Sequence, residues 1–523
     1  MKYRRETELA GRPDGGAGRA RATALSALPQ WLADYGFWLI LLLAAVVRFY
    51  GLTAAAIWGD EGSSLLLSQR SFSEIWAHAA HDVHPPLYFM LLHGWIVCFG
   101  DGIFSIRTLS AIPGVITVGL GVWLVDLLAT RRAAMLAGVL LALFPTAVRY
   151  SQEVRMYSLL GLLLIGATIA LVYWIRQPRR NGYLVVYTLL MAAAFYTHYF
   201  TALCVISHWL YLAVLRLWPD NRQRLIQRPA WWLANLVIVL LYLPWVPNLI
   251  DLVQHMDALK ANGDVGWEDP VTLSSLPSMI WSFLTQDDGG TLPRWLFFAV
   301  PAALLAVIGV ALARDRSVVR GSVLLALFSL LPILLVFAVS FVSPVFIERY
   351  LTAFALGLPM LVALAVDRLY AGFRVLALAI LLLFIGVELV GVKNNASATP
   401  DEQFSVMVDY VNQHFAPGDQ IVTGDMLWYL VYVYYNRTDA NPLLYTPPLA
   451  DGASSRPNAY GFGTLMASDV YVDSLGDLLK SGGRVWLIGS AQMPDEFPSL
   501  PAGWQNLSEK RVGDVRARLF VRP

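Results

Sequence analysis

Charge is scarce in this chain. Only 14% of its 523 residues are charged, where an ordinary soluble domain has about a quarter, and 38 Lys and Arg against 37 Asp and Glu nearly cancel to a formal net charge of +1. That balance excludes nucleic acid as a partner, because a phosphate backbone is gripped by a concentrated surplus of Lys and Arg. Cysteine is scarcer: Cys98 and Cys204, both in apolar runs, are all there is. Neither a disulfide framework nor a thiolate zinc site can be built from them. A Walker loop is missing as well, since the Gly-rich turn Lys480-Ser481-Gly482-Gly483 precedes a strand and opens no helix. What is abundant is apolar surface. With 57% hydrophobic residues and a mean hydropathy of +0.55, the composition is that of a polytopic α-helical membrane protein.

Apolar runs near the roughly 20 residues needed to cross a bilayer fall at 35–50, 108–129, 133–150, 156–175, 183–198, 199–217, 231–249, 293–313, 320–342, 350–366 and 373–392, eleven in all. Before them, residues 1–33 carry Lys2, Arg4, Arg5, Arg12, Arg19 and Arg21 among Gly and Ala, which reads as a disordered cytoplasmic leader ahead of a retained signal-anchor. The short apolar segment 84–99 decides the topology. If it does not cross, the loops holding Arg131 and Arg132, Arg176 to Arg180, Arg216 to Arg228, Arg314 to Arg320, and Arg368 and Arg374 all lie in the cytoplasm, as the positive-inside bias requires. We therefore read 84–99 as a helix in or dipping into the outer leaflet, within a first extracytoplasmic loop over 51–107.

This assignment gathers the polar motifs on the outer face: Asp60-Glu61, His84-Pro85-Pro86, Arg107, Ser151 to Tyr157, Tyr196-Thr197-His198-Tyr199 and Glu348-Arg349-Tyr350. A charged side chain costs roughly 2.5–3.5 kcal/mol at a membrane helix centre, so those kept beside a span usually serve a function. A transporter would more often place ionisable groups at mid-membrane on broken helices of repeated halves, and no such repeat is visible. The loop 250–292 is acidic and aromatic, with Asp257, Asp264, Glu268, Asp269, Asp287, Asp288, Trp267 and Trp281; it suits either a grip on a sugar or acceptor or a solvated loop with interfacial Trp anchors. Beyond Lys393 the chain turns mixed polar. Helices at 401–415, 426–436 and 473–480 and strands at 420–424, 484–489 and 517–521 predict an extracytoplasmic α/β domain over 393–523.

Taken in order, Asp60-Glu61, His84-Pro85-Pro86-Leu87-Tyr88, Phe99-Gly100 to Arg107, Tyr150 to Tyr157 and Arg349-Tyr350-Leu351 resemble the family 39 glycosyltransferases of the GT-C superfamily, the protein O-mannosyltransferases and the aminoarabinose transferase that modifies lipid A. The resemblance spans roughly 35–370. It implies an inverting transferase in a bacterial-type inner membrane, moving a sugar from a polyprenyl-phosphate donor to a hydroxyl of a glycan, lipid or protein on the outer side. Asp60 matches the family's loop aspartate and fits the general base that an acceptor hydroxyl needs. Glu61 is open between sharing a divalent metal (Mg, Mn or Ca) with Asp60, orienting it, or raising its pKa.

Arg107, Arg155 and Arg349 are candidates for the lipid phosphate, whose charge grows as it leaves. Arg349 would otherwise be a snorkelling anchor and Arg155 a structural partner of Glu153 or another carboxylate. His84 either contacts phosphate or metal or caps the helix after Pro85-Pro86, and Phe89 and Met90 stand where the family's lysine would follow. Glu153, Tyr157, His198, Tyr199 and Tyr350 complete the expected substrate-binding set, with His198 alternatively an aromatic-belt residue. The other function classes are a transporter or flippase of lipid-linked saccharides, and a tail-borne function for which the spans are only an anchor.

Overall fold

The computed structural model describes residues 30–521 except 219–223, 262–269, 288–291, 398–402, 450–451, 453, 457–464, 466–469, 479–482, 493–494 and 498. The expected leader therefore lies almost wholly outside the described residues, as do Asp264, Trp267, Glu268, Asp269, Asp288 and the Gly-rich turn up to Gly482. The helical part starts with α1 (Gln30–Phe49), three short helices α2 (Gly59–Ser68), α3 (Phe72–Ala79) and α4 (Leu87–Phe99), and the long α5 (Ile103–Leu128). α6 (Arg131–Leu143), α7 (Pro145–Arg149), α8 (Tyr157–Arg176), α9 (Gly182–Phe195) and α10 (Thr201–Leu215) follow. Then come α11 (Pro229–Tyr242), α12 (Val246–Ala261), α13 (Ser275–Thr285), α14 (Leu296–Ala313), α15 (Gly321–Val339), α16 (Glu348–Ala355), α17 (Gly357–Tyr370) and α18 (Arg374–Ser397).

Among the described residues, 7 helices are long and apolar enough to cross a membrane, and shorter apolar helices occupy 35–49, 87–99, 182–195 and 201–215. All eleven expected runs are helical. The run 133–150 is broken, and the cause is local. Proline at 145 disfavours the helical region for Phe144, which adopts φ −58° and ψ 110°. The break frees backbone carbonyls, and the buried Arg48 of α1 takes two of them, donating to Ala142 O at 3.0 Å and Leu141 O at 3.1 Å. The stretch Glu348–Tyr370 is the central helix, with 94% of its apolar window buried against 22% for Arg374–Ala396 at the periphery.

The basic loops meet at one end of the bundle. Arg132 pairs with Asp367 at 2.6 Å, Arg368 with Asp315 at 3.2 Å, and Arg228 donates to Pro178 O at 3.1 Å. At the other ends of the same helices sit α2, residues 84–87, 150–157, 196–199 and 348–350, joined in part by Leu87 N donating to Tyr196 O at 3.0 Å. Loop 250–292 does not offer Trp281 as a sugar platform: that ring is 5% exposed and packs against Phe297.

The C-terminal part comprises α19 (Gln403–His414), β1 (Gln420–Thr423), α20 (Met426–Tyr435), β2 (Leu443–Tyr445), β3 (Tyr471–Val472), β4 (Arg484–Ser490), β5 (Gln505–Val512) and β6 (Val515–Val521). The sheet order is β3-β2-β1-β4-β6-β5, parallel through β4 and antiparallel beyond it. One expected helix is corrected. At 473–480 the described residues form only a 3-10 turn, Leu475–Asp477, because the Ser474 hydroxyl accepts from Gly476 N at 3.2 Å and closes a tight local turn.

Candidate active site

The site is built on the first turn of α2. Trp58 is extended, at φ −109° and ψ 172°, so Asp60 and Glu61 open the helix where its dipole favours anions. Successive helical residues are rotated by about 100°. The two carboxylates therefore part company.

Glu61 turns inward and is fully buried. Its Oε1 accepts from Arg107 Nε at 2.9 Å and Val154 N at 2.8 Å; its Oε2 accepts from Arg107 Nη2 at 2.7 Å and, at greater length, Trp58 N at 3.4 Å. The rest of the Arg107 fork donates to the carbonyls of Leu52 at 3.0 Å, Ala55 at 2.8 Å and Ala56 at 3.0 Å. All five guanidinium donors are thereby engaged. Two expectations change accordingly: Arg107 has no donor left for a lipid phosphate, and both oxygens of Glu61 are already taken by protein donors. The doublet does not fit a shared divalent ion, because Glu61 is saturated and Asp60 stands beside two guanidiniums that repel a cation.

Asp60 faces the opposite way. Its Oδ2 lies 3.8 Å from Arg155 Nη2 and 3.9 Å from Arg349 Nη2, with the side chain 21% exposed. These separations exceed a hydrogen bond, so the carboxylate is flanked by cations without being locked to them. Arg155 is held from below, donating through Nη1 to Asp60 O at 3.2 Å and Ser64 Oγ at 3.1 Å. Its Nε is buried without a protein partner. Arg349 lies over Trp58 and Tyr350, 6.0 and 5.6 Å from the ring centroids. The adjacent Glu348 points elsewhere, accepting from Thr146 Oγ1, Gln286 Nε2 and Ser282 Oγ at 2.6–2.7 Å and so pinning α16 to α7 and α13.

Two histidines line the same space. The His84 backbone N–H donates to Asp82 Oδ1 at 2.9 Å, and its ring Nδ1 lies 3.2 Å from the same oxygen. Burial draws the His84 imidazole well below its ordinary range, with Arg155 adding to the effect, so the ring is neutral at pH 7. Burial also pushes the Asp82 carboxyl up to about 6, against the pull of Arg155. His198 stands 5.5 Å from His84 and 5.3 Å from Tyr350, centroid to centroid. It too is held neutral by burial. Phe200 N donates to His198 Nδ1 at 3.1 Å, which assigns the ring proton to Nε2, and that buried atom has no protein partner.

Glu153 does not pair with Arg155; its carboxylate lies 3.6 Å from Arg149, and its Oε2 is buried without a partner. Burial raises this carboxyl to about 7, opposed by Arg149 and reinforced by Glu61 and Asp60. Tyr157 borders Arg155, 5.8 Å from its ring centroid, and Tyr199 is at the rim, its hydroxyl accepting from Trp245 Nε1 at 3.2 Å. The floor is apolar: Phe89, where the resemblance expects a lysine nearby, is buried with Tyr88, Leu92 and Val154.

The structure thus brings Asp60, His84, Arg155, Tyr157, His198, Arg349 and Tyr350 into one cluster of contacts, leaves Glu153 against Arg149 and Tyr199 against Trp245 beside it, and diverts Glu61 and Arg107 to a supporting ion pair. Sequence reasoning missed Asp82, Ser64 and Arg149. Only Asp82 left a trace, as an Asp two residues before a His ahead of Pro-Pro, a spacing that favours an Asx turn.

Residues 83–247 match the family model described as dolichyl-phosphate-mannose-protein mannosyltransferase. No curated protein sequence matches the chain. Among solved structures, ArnT from Cupriavidus metallidurans in the apo state superposes with a TM-score of 0.62 at 17% identity, covering 93% of this chain and 98% of that one. ArnT bound to undecaprenyl phosphate gives 0.64 at 15% identity, with 94% and 98% covered. The oligosaccharyltransferase AglB from Archaeoglobus fulgidus, in complex with an inhibitory peptide and a dolichol-phosphate, gives 0.53 at 14% identity over 88% and 70%. At such identities the likeness is one of fold. The chain is therefore a polytopic membrane protein that shares the fold of ArnT, with a C-terminal sheet domain, and the segment that matches the mannosyltransferase family model contains His84, Arg155, Tyr157 and His198 of the candidate site.

Proposed function

We propose that this protein is a GT-C glycosyltransferase that moves a sugar from a polyprenyl-phosphate carrier to an acceptor hydroxyl on the extracytoplasmic side, inverting the anomeric centre, with Asp60 as general base. One observation carries the reading: a partly exposed carboxylate on a helix N-terminus stands within 3.9 Å of two guanidiniums, Arg155 and Arg349. Base and phosphate clamp are side by side. Asp60 takes the hydroxyl proton as the acceptor oxygen bonds to the anomeric carbon. The carbon–oxygen bond to phosphate breaks, its electron pair stays on the phosphate oxygen, and the growing charge faces Arg155 and Arg349.

His84, held neutral, offers hydrogen bonds without adding positive charge that would hold the product phosphate too tightly. Buried atoms lacking protein partners, Glu153 Oε2, Arg155 Nε and His198 Nε2, are the groups a sugar phosphate would satisfy. The extracytoplasmic placement, in a bacterial-type inner membrane, is supported by the basic loops at the opposite end of the bundle. Two relatives by fold were solved with undecaprenyl phosphate and dolichol-phosphate, which supports the carrier class.

The test is Asp60→Asn in the full-length protein. The variant should retain undecaprenyl phosphate binding and lose sugar transfer, read by mass spectrometry of lipids and glycans from cells carrying each form. Undiminished transfer would remove Asp60 as base. Normal transport of a lipid-linked saccharide without any transfer product would favour a flippase.

A further inference from the structure

Asp60 sits between two glycines. Gly59 and Gly62 lie in the first turn of α2, and a glycine within a helix is less favourable than alanine by about 1 kcal/mol. What needs them is α20, a helix of the other domain. A Cβ on Gly59 would meet Leu427 Cδ2 at 2.7 Å and Leu427 Cβ at 3.0 Å. A Cβ on Gly62 would meet the backbone O and C of Leu430 at 2.7 and 2.8 Å.

Three other contacts bind the same helix to the same place. The Tyr435 hydroxyl accepts from Ile57 N at 2.9 Å, one residue before the N-cap Trp58. The Tyr434 hydroxyl donates to Asp101 O at 2.9 Å. Leu66, further along α2, packs against the buried cluster that holds Tyr429 and Leu430 of α20. The approach to α2, its first turn and its apolar face are thus all seated on one helix that belongs to the C-terminal sheet domain. Of the two cations facing Asp60, Arg155 is tied to α2 itself, donating to Asp60 O and Ser64 Oγ, whereas Arg349 is held elsewhere: it begins α16, which packs chiefly on α8, α15 and α13.

We propose that α20 is a positioning element of the active site, setting through backbone-close contact at Gly59 and Gly62 where the Asp60 carboxylate stands relative to Arg349. The C-terminal domain then acts on the base, and on Arg155 through α2, while Arg349 keeps its place in the phosphate clamp. The proposal rests on the transferase reading and predicts a split between two measurements. Displacing α2 by the few tenths of an ångström that an added Cβ demands should slow transfer while phosphate recognition persists.

The experiment uses full-length protein in nanodiscs, with undecaprenyl phosphate affinity and sugar transfer from a panel of undecaprenyl-phosphate sugars measured on each variant. Gly62→Ala, opposed by a backbone carbonyl that cannot swing away, is expected to lower the transfer rate by about tenfold or more, since misplacement by ~1 Å can cost a hundredfold, with undecaprenyl phosphate affinity retained. Gly59→Ala, opposed chiefly by a movable leucine tip, should lose less. Adding Leu427→Ala should restore it, a rescue that simple loss of stability would not show. Tyr435→Phe should move in the same direction as Gly62→Ala. If Gly62→Ala does not fold, the Gly59→Ala and Leu427→Ala pair decides.

Wild-type transfer rates in Gly62→Ala and Gly59→Ala, with Asp60→Asn inactive, would overturn the positioning role and leave the transferase standing. Parallel loss of phosphate affinity and transfer, without rescue by Leu427→Ala, would also overturn it, as a general collapse of the fold. Normal transfer by Asp60→Asn would instead overturn the transferase reading on which the proposal rests.

Discussion

Removing Arg107 separates a structural cation from a phosphate ligand, and the structure sets the size of the effect. Arg107→Ala strips Glu61 of its two guanidinium bonds, at 2.9 and 2.7 Å, and leaves a fully buried carboxylate with only the Val154 and Trp58 amides. Breaking a buried pair from one side costs about 3–5 kcal/mol, because the surviving charge is uncompensated. The carbonyls of Leu52, Ala55 and Ala56 lose their donor at the same time. Together these groups tie the 50–57 turn, α2, α5 and the 150–156 loop, so the loss should fall on the whole outer rim. The assay is denaturant unfolding of the detergent-solubilised protein, with inactivation half-life at fixed temperature as a second reading, since large membrane proteins seldom unfold reversibly. Arg107→Lys should be nearly as damaging, because an ammonium cannot reproduce the two-pronged contact. If Arg107→Ala leaves stability unchanged and undecaprenyl phosphate affinity collapses, the ion pair is not what holds the rim and Arg107 belongs to the phosphate.

Arg48→Leu should destabilise the protein by about 1–3 kcal/mol, because the Leu141 and Ala142 carbonyls exposed by the Pro145 break lose their donor; unfolding curves that superpose on wild type would refute this. Arg155→Lys keeps the charge but not the fork that spans Asp60 O and Ser64 Oγ. Loss of a hydrogen bond to a charged group, about 1.5–3 kcal/mol, should weaken undecaprenyl phosphate binding by roughly ten- to a hundredfold, and unaltered affinity in equilibrium binding would exclude Arg155 from the phosphate clamp.

The helical plan could be read from the sequence because an apolar run of membrane length is too costly to leave in water and satisfies its backbone in lipid only as a helix. The site residues could be read for the complementary reason. In a chain with so little charge, each Asp, Glu or Arg beside a span stands out. What was hidden is which of them face one another. Asp60 and Glu61 are neighbours in sequence, so they invite a shared task, yet the helical rotation between them sends one to Arg155 and Arg349 and the other to Arg107, 46 residues from Glu61. That partnership depends on α5 and the 150–156 loop closing over α2, which no local pattern announces. The edge strand β5 was missed because it is exposed on both faces, so it has no apolar alternation to betray it. The false helix at 473–480 had acceptable propensity, overridden by a single serine side chain and a glycine turn.

Glu153 makes the electrostatics around Asp60 depend on pH, and the sign can be worked out. Its carboxyl is raised from 4.5 to about 7 by burial, with Asp60 and Glu61 adding repulsion and Arg149 and Arg155 opposing it. A carboxyl raised on folding binds its proton more tightly in the native state. The stability it contributes is therefore complete below pH 4.5 and is lost as the pH climbs through about 7. The same ionisation places a second negative charge near Asp60, against a donor that is itself anionic. A sugar phosphodiester keeps one charge across this range, so its affinity should fall as pH rises from 6 to 8 through the Glu153 pKa of about 7. Glu153→Gln, which cannot ionise, should bind the donor at pH 8 as wild type does at pH 6 and should flatten both the binding profile and the stability profile. Undecaprenyl phosphate is the wrong probe for the slope alone, because its own second ionisation near ~6 runs the other way; the difference between wild type and Glu153→Gln at each pH cancels that contribution. Identical slopes for the two proteins would show that the buried carboxylate does not face the phosphate, and the donor site around Asp60 would have to exclude it.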